Sequence, residues 1–247
     1  MEEFDIQRYE IYRSIPHIVL PIAERHGVAI SSEDLEMQST ATALMGLVDV
    51  SLDDANSRQD TLSVVGILHD ILTGRSTASI GDLPLHSRVI DDARRLYQGM
   101  NPEVADGFYA AGLQAAELAV VNSTATSVRT YARLRRNEAL PVVKMLTSVV
   151  SDETRAQPGF AAYIADTTRV CKVCYLFDSF KDVSEDHERG QISLPPTLRT
   201  RLGLLSLTAA QATSCIPVVG MGTTYNMLAQ GVRQARRIRE ATRHDER

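Results

Sequence analysis

Three aspartates, Asp178, Asp182 and Asp186, recur at every fourth position in the run from Phe177 to Gly190. On a helix, roughly 100° and 1.5 Å per residue place them within an arc of about 80° and over about 12 Å of one face. Like charges at that spacing oppose the helix by about a few tenths of a kcal/mol per pair, so the stripe calls for a cation. Oxygen ligands without histidine or thiolate point to Mg²⁺, which is usually held by a few carboxylates together with phosphate oxygens. The plain alternative is a solvated acidic face. The flanks favour chemistry: Tyr163, Ile164, Val170, Val173, Leu176 and Phe177 make the preceding turns apolar, so the acids begin where a buried helix emerges. The helix should then stop, because Gly190 suits the position just past a helix end and Pro195 and Pro196 cannot continue one.

A second polar stripe lies upstream. Behind the apolar Leu44-Met45-Gly46-Leu47-Val48, helical geometry puts Asp53, Asn56 and Asp60 within about 40° of Asp49. Between the two stripes, Tyr131-Ala-Arg133-Leu-Arg135-Arg136 gathers guanidinium groups, which bind phosphate oxygens through paired donors. A solvated basic turn is the structural alternative for that cluster.

Asp178-x-x-x-Asp182-x-x-x-Asp186, followed by Arg189-Gly190 and Leu194-Pro195, resembles the second aspartate motif of the squalene and phytoene synthase family. It is still more similar to that of the bacterial tetraprenyl-curcumene cyclases. Asp49-x-x-x-Asp53-Asp54 resembles the first aspartate motif of the same family. These are class I isoprenoid synthases, all-α enzymes that ionise prenyl diphosphates with Mg²⁺. The resemblance implies a metal cluster on Asp49, Asp53, Asp178, Asp182 and Asp186, the two stripes facing one cavity. Tyr131-x-x-x-Arg135-Arg136 resembles the segment whose arginine senses the diphosphate in bacterial terpene cyclases, which gives that role to Arg135. Arg136, Arg189 and, near the C-terminus, Tyr225 complete the diphosphate-binding set that the resemblance implies.

Two departures weaken head-to-head condensation. Squalene and phytoene synthases carry Ala-Gly-x-Val-Gly after the tyrosine, where this chain reads Arg136-Asn-Glu138-Ala-Leu140. Phytoene synthases read Gly-Arg-x-Tyr-Leu-Pro in the tail, where Gln191 and Ser193 stand here. A terpene synthase that ionises a linear prenyl diphosphate and cyclises or quenches the cation is therefore the first expectation. A prenyltransferase joining two prenyl diphosphates is the alternative within the superfamily, and a non-catalytic helical interaction protein the alternative outside it.

The elements that must position these residues are all helical in pattern. Helices are expected over 5–26, kinked or divided by Pro16 and Pro21, from Ser31-Ser32-Glu-Asp34 to about 60, over 61–73, and over 85–98. Asn101-Pro102-Glu103 starts another, to about 121, followed by helices over 122–150, 159–189, 196–215 with Leu198, Leu202, Leu205 and Ala209 as its apolar series, and 224–242. With no alternating strand, the expected fold is an all-α bundle of the class I isoprenoid synthase type, one domain over residues 1–247.

Composition narrows the classes. A chain of 247 residues with 44% hydrophobic residues can bury one large core, and a net charge of −5 opposes nucleic-acid binding. Aromatics are only 5% with no Trp, which is sparse for a pocket that steers cations and favours the prenyltransferase. Cys171-x-x-Cys174 lies in an apolar helical run without a second pair, and Cys215 makes the count odd, so inert buried thiols are expected rather than a disulfide framework, zinc or redox chemistry. His69-Asp70 lacks the further ligands of an HD phosphohydrolase, and Glu-x-x-His, which a di-iron bundle needs, does not occur. No leader and no apolar run of about 18 residues is found, so a cytoplasmic protein without stable membrane insertion is expected. Its partners are a prenyl diphosphate substrate and, among expected assemblies, a second copy in a homodimer.

Overall fold

The computed structural model describes residues 6–54, 58–82 and 87–220, with side chains left undescribed at 6–11, 47–54, 58–61 and 82. Among the described residues every regular element is helical and there is no strand, so the all-α class is observed. The helices are α1 (Ile6–Arg25), α2 (Ser32–Asp54), α3 (Arg58–Leu72), α4 (Ser87–Gln98), α5 (Pro102–Ser123), α6 (Val128–Ser148), α7 (Asp152–Arg155), α8 (Phe160–Glu188) and α9 (Leu198–Thr213). No helix among the described residues is long and apolar enough to cross a membrane.

Local chemistry explains most boundaries. Ser31 Oγ accepts from the Asp34 amide at 3.0 Å and Asn101 Oδ1 from that of Val104 at 2.9 Å, each satisfying an orphan donor of a first turn. α1 runs through both prolines without dividing. α6 starts at Val128 rather than 122, because Ser123 and Thr124 turn their hydroxyls back on the carbonyls of Val120 and Val121 and Ser127 caps the new helix. The short α7 falls inside what reads from sequence as a connector.

The chain packs as two compact units. The first comprises Met1–Gln114 and Lys144–Tyr163. Its core gathers Leu44, Leu68, Val89, Leu96, Phe108, Met145 and Val149. Here the buried Asp34 carboxylate accepts from the Ser151 amide (2.6 Å), the Ser151 hydroxyl (3.0 Å) and the Thr154 hydroxyl (2.6 Å), tying the start of α2 to that of α7.

The second unit comprises Ala115–Val143 and Ile164–Arg247. Tyr131, Ala132, Leu176, Phe180, Val183, Ile192, Leu194 and Leu204 form its core, on α6, α8, the tail after α8, and α9. Gly203 lets α9 approach α6 closely, since a Cβ there would meet Val128 Cγ1 at 3.0 Å. The apolar series expected on α9 is offset: Leu198 and Leu202 are exposed, whereas Thr200, Leu204, Thr208 and Ala212 are buried. Two threonines on the inner face hid that register, Thr208 satisfying its hydroxyl on the Leu204 carbonyl at 2.8 Å.

Candidate functional site

The site is built on the C-terminal half of α8 and the first half of α6, both within the second unit. α8 ends as the sequence implies. Gly190, at φ 72°, donates its amide to the His187 carbonyl (3.0 Å), and Gln191 donates to that of Asp186 (2.8 Å), a Schellman closure. The tail then drops Ile192 and Leu194 into the core, and the Ser193 amide reaches the Ser123 carbonyl at 2.8 Å. The end of α8 is thus fixed, and with it the stripe. Asp186 stands in the last turn, where the helix dipole is negative and a carboxylate is least welcome.

Burial grades along the stripe. Asp178 is 60% exposed and Asp182 28%. Burial, then the neighbouring Asp178 charge, holds the Asp182 carboxyl above the usual range. Asp186 is pushed up to about 6 by burial and by Asp182, against the pull of Arg135. Both observations describe negative charge that the fold concentrates and does not fully neutralise.

Some neutralisation comes from the chain itself. Lys181 Nζ lies 3.2 Å from Asp182, and Arg135 Nη2 lies 3.8 Å from Asp178. Arg135 is the better-held cation. Its Nε donates to the Ser179 hydroxyl (3.0 Å), its Nη1 to Glu138 (2.5 Å), and its guanidinium lies over the Tyr175 ring, 4.8 Å from the centroid. Burial alone would lower its pKa, but Glu138, Tyr131, Tyr175 and Asp178 raise it, so the charge is permanent. Tyr131, buried beside it, hydrogen-bonds Ser179.

Of the residues expected to act, the structure brings together Asp178, Asp182, Asp186 and Arg135. Arg136 turns its Nε to the Ala132 carbonyl of its own helix (3.2 Å), and Arg189 pairs with Glu185 (2.5 Å). Asp49 and Asp53 lie on the last turns of α2 with side chains outside the described residues, as do all of Asn56 and Tyr225. Sequence reasoning missed Glu138, Ser179, Tyr175 and Lys181. Arg135 and Glu138 at i,i+3, and Tyr175 and Ser179 at i,i+4, were the signals that could have found most of them.

Among the described residues no three His, Cys, Asp or Glu side chains converge as a closed metal cage requires. The kind of Mg²⁺ site that Asp178 and Asp182 could serve is instead an open one, in which phosphate oxygens would complete the shell. Burial pushes the Cys171 thiol up to about 12, and Cys174 is exposed rather than buried as its sequence context suggests.

The first unit holds a second polar cluster, around His69. This side chain is 2% exposed, stacks on Tyr109 at 4.1 Å, and meets Tyr97 Oη through Nδ1 at 2.8 Å. Its Nε2 lies 3.3 Å from both Asp106 and Arg75, which pair with each other at 2.6 Å. Burial and then Arg75 hold the imidazole below its ordinary range, so it is a neutral, hydrogen-bonded core group. Asp70, next to it in the chain, is exposed.

No protein-family model matches the chain, and neither a curated protein nor a solved structure does.

Proposed function

We propose that this chain is a Mg²⁺-dependent class I terpene synthase that ionises a linear prenyl diphosphate and cyclises or quenches the allylic cation, acting in the cytoplasm. One observation carries this reading: a held guanidinium meets the exposed end of a carboxylate stripe whose inner members resist ionisation. Such a stripe repels a diphosphate by itself and attracts one when a divalent cation lies between them. Asp178, Asp182 and Asp186 are the residues assigned to hold Mg²⁺, with Asp49 and Asp53 added on the likeness of their motif alone. Bound there, Mg²⁺ would act as a Lewis acid that stabilises the leaving diphosphate.

Arg135 can help with its Nη2 edge. Ser179 and Glu138 occupy Nε and Nη1, so Nη2 is turned towards Asp178 and can donate to a phosphate oxygen as negative charge grows on it. Because these bonds exist before any ligand arrives, the guanidinium need not reorganise at the moment of bond cleavage. The departures from the squalene and phytoene synthase motifs place cyclisation ahead of condensation of two prenyl diphosphates, and the mass of the product separates them. A non-catalytic helical protein is the second reading, favoured by the Lys181–Asp182 pair, which supplies the stripe with a cation from its own helix.

Ligand linkage tests the proposal. Mg²⁺ with pyrophosphate should raise the thermal midpoint, stabilising the fold by roughly 2.7 kcal/mol at a hundred times Kd. Neither component alone should do as much, because Mg²⁺ lacks enough ligands without phosphate oxygens and pyrophosphate without metal meets a row of carboxylates. Measured from its own ligand-free midpoint, Arg135→Ala should lose most of the shift, whereas Arg133→Ala, exposed on the same helix, should keep it. Equal shifts from Mg²⁺ alone and from the pair, or no shift at all, would leave the second reading standing.

A further inference from the structure

Glu138 is a buried carboxylate with no place in the expected diphosphate site, and its partners give it one. The residue is 4% exposed on the side of α6 that faces α8 through Arg135. Its Oε2 accepts from Arg135 Nη1 at 2.5 Å and its Oε1 from Asn122 Nδ2 at 2.6 Å. Asn122 is itself buried, and among the described residues its own Oδ1 has no hydrogen-bond partner. An amide that leaves its acceptor unmet in order to donate to Glu138 costs stability, which is explained if the negative charge at that point is what the arrangement maintains.

That charge decides where Arg135 rests. The guanidinium has two carboxylates within reach, Glu138 in contact and Asp178 at 3.8 Å. With Glu138 neutral, the nearest remaining counter-charge is the stripe, and a side chain with Arg's reach would close the gap to Asp178. It would then occupy a carboxylate that a divalent cation needs and turn its donors away from an incoming anion.

We infer that Glu138, anchored by Asn122, is a positioning residue that holds Arg135 back from the aspartate stripe and presents its Nη2 edge to a cation-bound diphosphate. The inference rests on the function proposed above and adds to it a counter-ion that the sequence motifs do not mark. It also makes two residues of α6, three apart, a single functional pair.

The test is calorimetric titration of the full chain with Mg²⁺ and pyrophosphate together, each variant first shown to be folded by circular dichroism. Glu138→Gln, which keeps the size and removes the charge, should bind about tenfold more weakly than the natural chain. Glu138→Asp, which keeps the charge and shortens the side chain, should recover most of that loss. A packing role predicts the reverse order, since the shorter side chain leaves the larger void, and that order would overturn the inference. In an Arg135→Gln background the Glu138→Gln change should have no further effect, because its action runs through the guanidinium. Additive losses, or a Glu138→Gln protein that binds as the natural one does, would also overturn it while leaving the proposed function intact. Absence of binding by the natural chain removes both, and is told apart by being visible before any substitution is made.

Discussion

Asp182→Asn is expected to lower turnover of a prenyl diphosphate by at least about two orders of magnitude while leaving the helical circular dichroism unchanged. The same substitution should leave the ligand-free midpoint equal or higher, because it takes a like charge from between Asp178 and Asp186. Asp178→Asn should behave alike. Asp186→Asn supplies the pH signature. The Asp186 carboxyl, ordinarily near 3.8, is held at about 6 in the fold by burial and by Asp182. A raised carboxyl favours the native state below the unfolded value and loses that contribution as pH rises through the folded one. The variant should therefore match the natural chain below pH 3.8 and exceed it in stability above pH 6, as read from denaturation at a series of pH values. A variant less stable across the whole range would make Asp186 a structural residue and remove the case for an under-neutralised stripe.

What the sequence displayed most clearly was the end of α8. The i,i+4 aspartates, the apolar turns before them and the Arg189-Gly190 stop are local patterns, and local geometry is sufficient to place them. The partner that completes the site was half legible. A basic cluster singled out Arg135, but its neighbour Glu138 reads as one more acid on a polar helix until α6 is packed, when it is buried and bound to Asn122. Lys181 was hidden for the opposite reason. Counting aspartates as a stripe left out the adjacent ammonium, whose flexible stem reaches Asp182 although it sits one residue away.

Boundaries failed where side chains compete with the backbone. Ser123, Thr124 and Ser127 close one helix and open the next within five residues, and a hydrophobic period cannot see that exchange. On α9 the period itself misled, because Thr200 and Thr208 occupy the inner face while Leu198 and Leu202 stay outside. Arg136 and Arg189 illustrate the limit of composition. Both are basic and both are adjacent to the motif residues, yet one bonds its own helix and the other pairs with Glu185.

Asp34→Ala should be the most destabilising single change in the first unit, by about 3 kcal/mol or a fall of about 6–12 °C in Tm. Burial alone would raise this carboxyl, but hydrogen bonds from Thr154, Ser151 and Ser31 outweigh it and hold the pKa below 3.8. Alanine would strand the Ser151 amide and the Thr154 hydroxyl and unfasten α7 from α2. Asparagine should cost less, since its oxygen can still accept from Ser151 N and the two hydroxyls can rotate to accept from its amide. The distinguishing measurement is again pH. A depressed carboxyl contributes stability above its unfolded value and loses it as pH falls through the lower, folded one. The advantage of the natural chain over Asp34→Asn should therefore be full near neutral pH and vanish only below pH 3.8, the opposite course to Asp186→Asn. A difference that does not change with pH would mean that Asp34 acts through its shape and not through its charge.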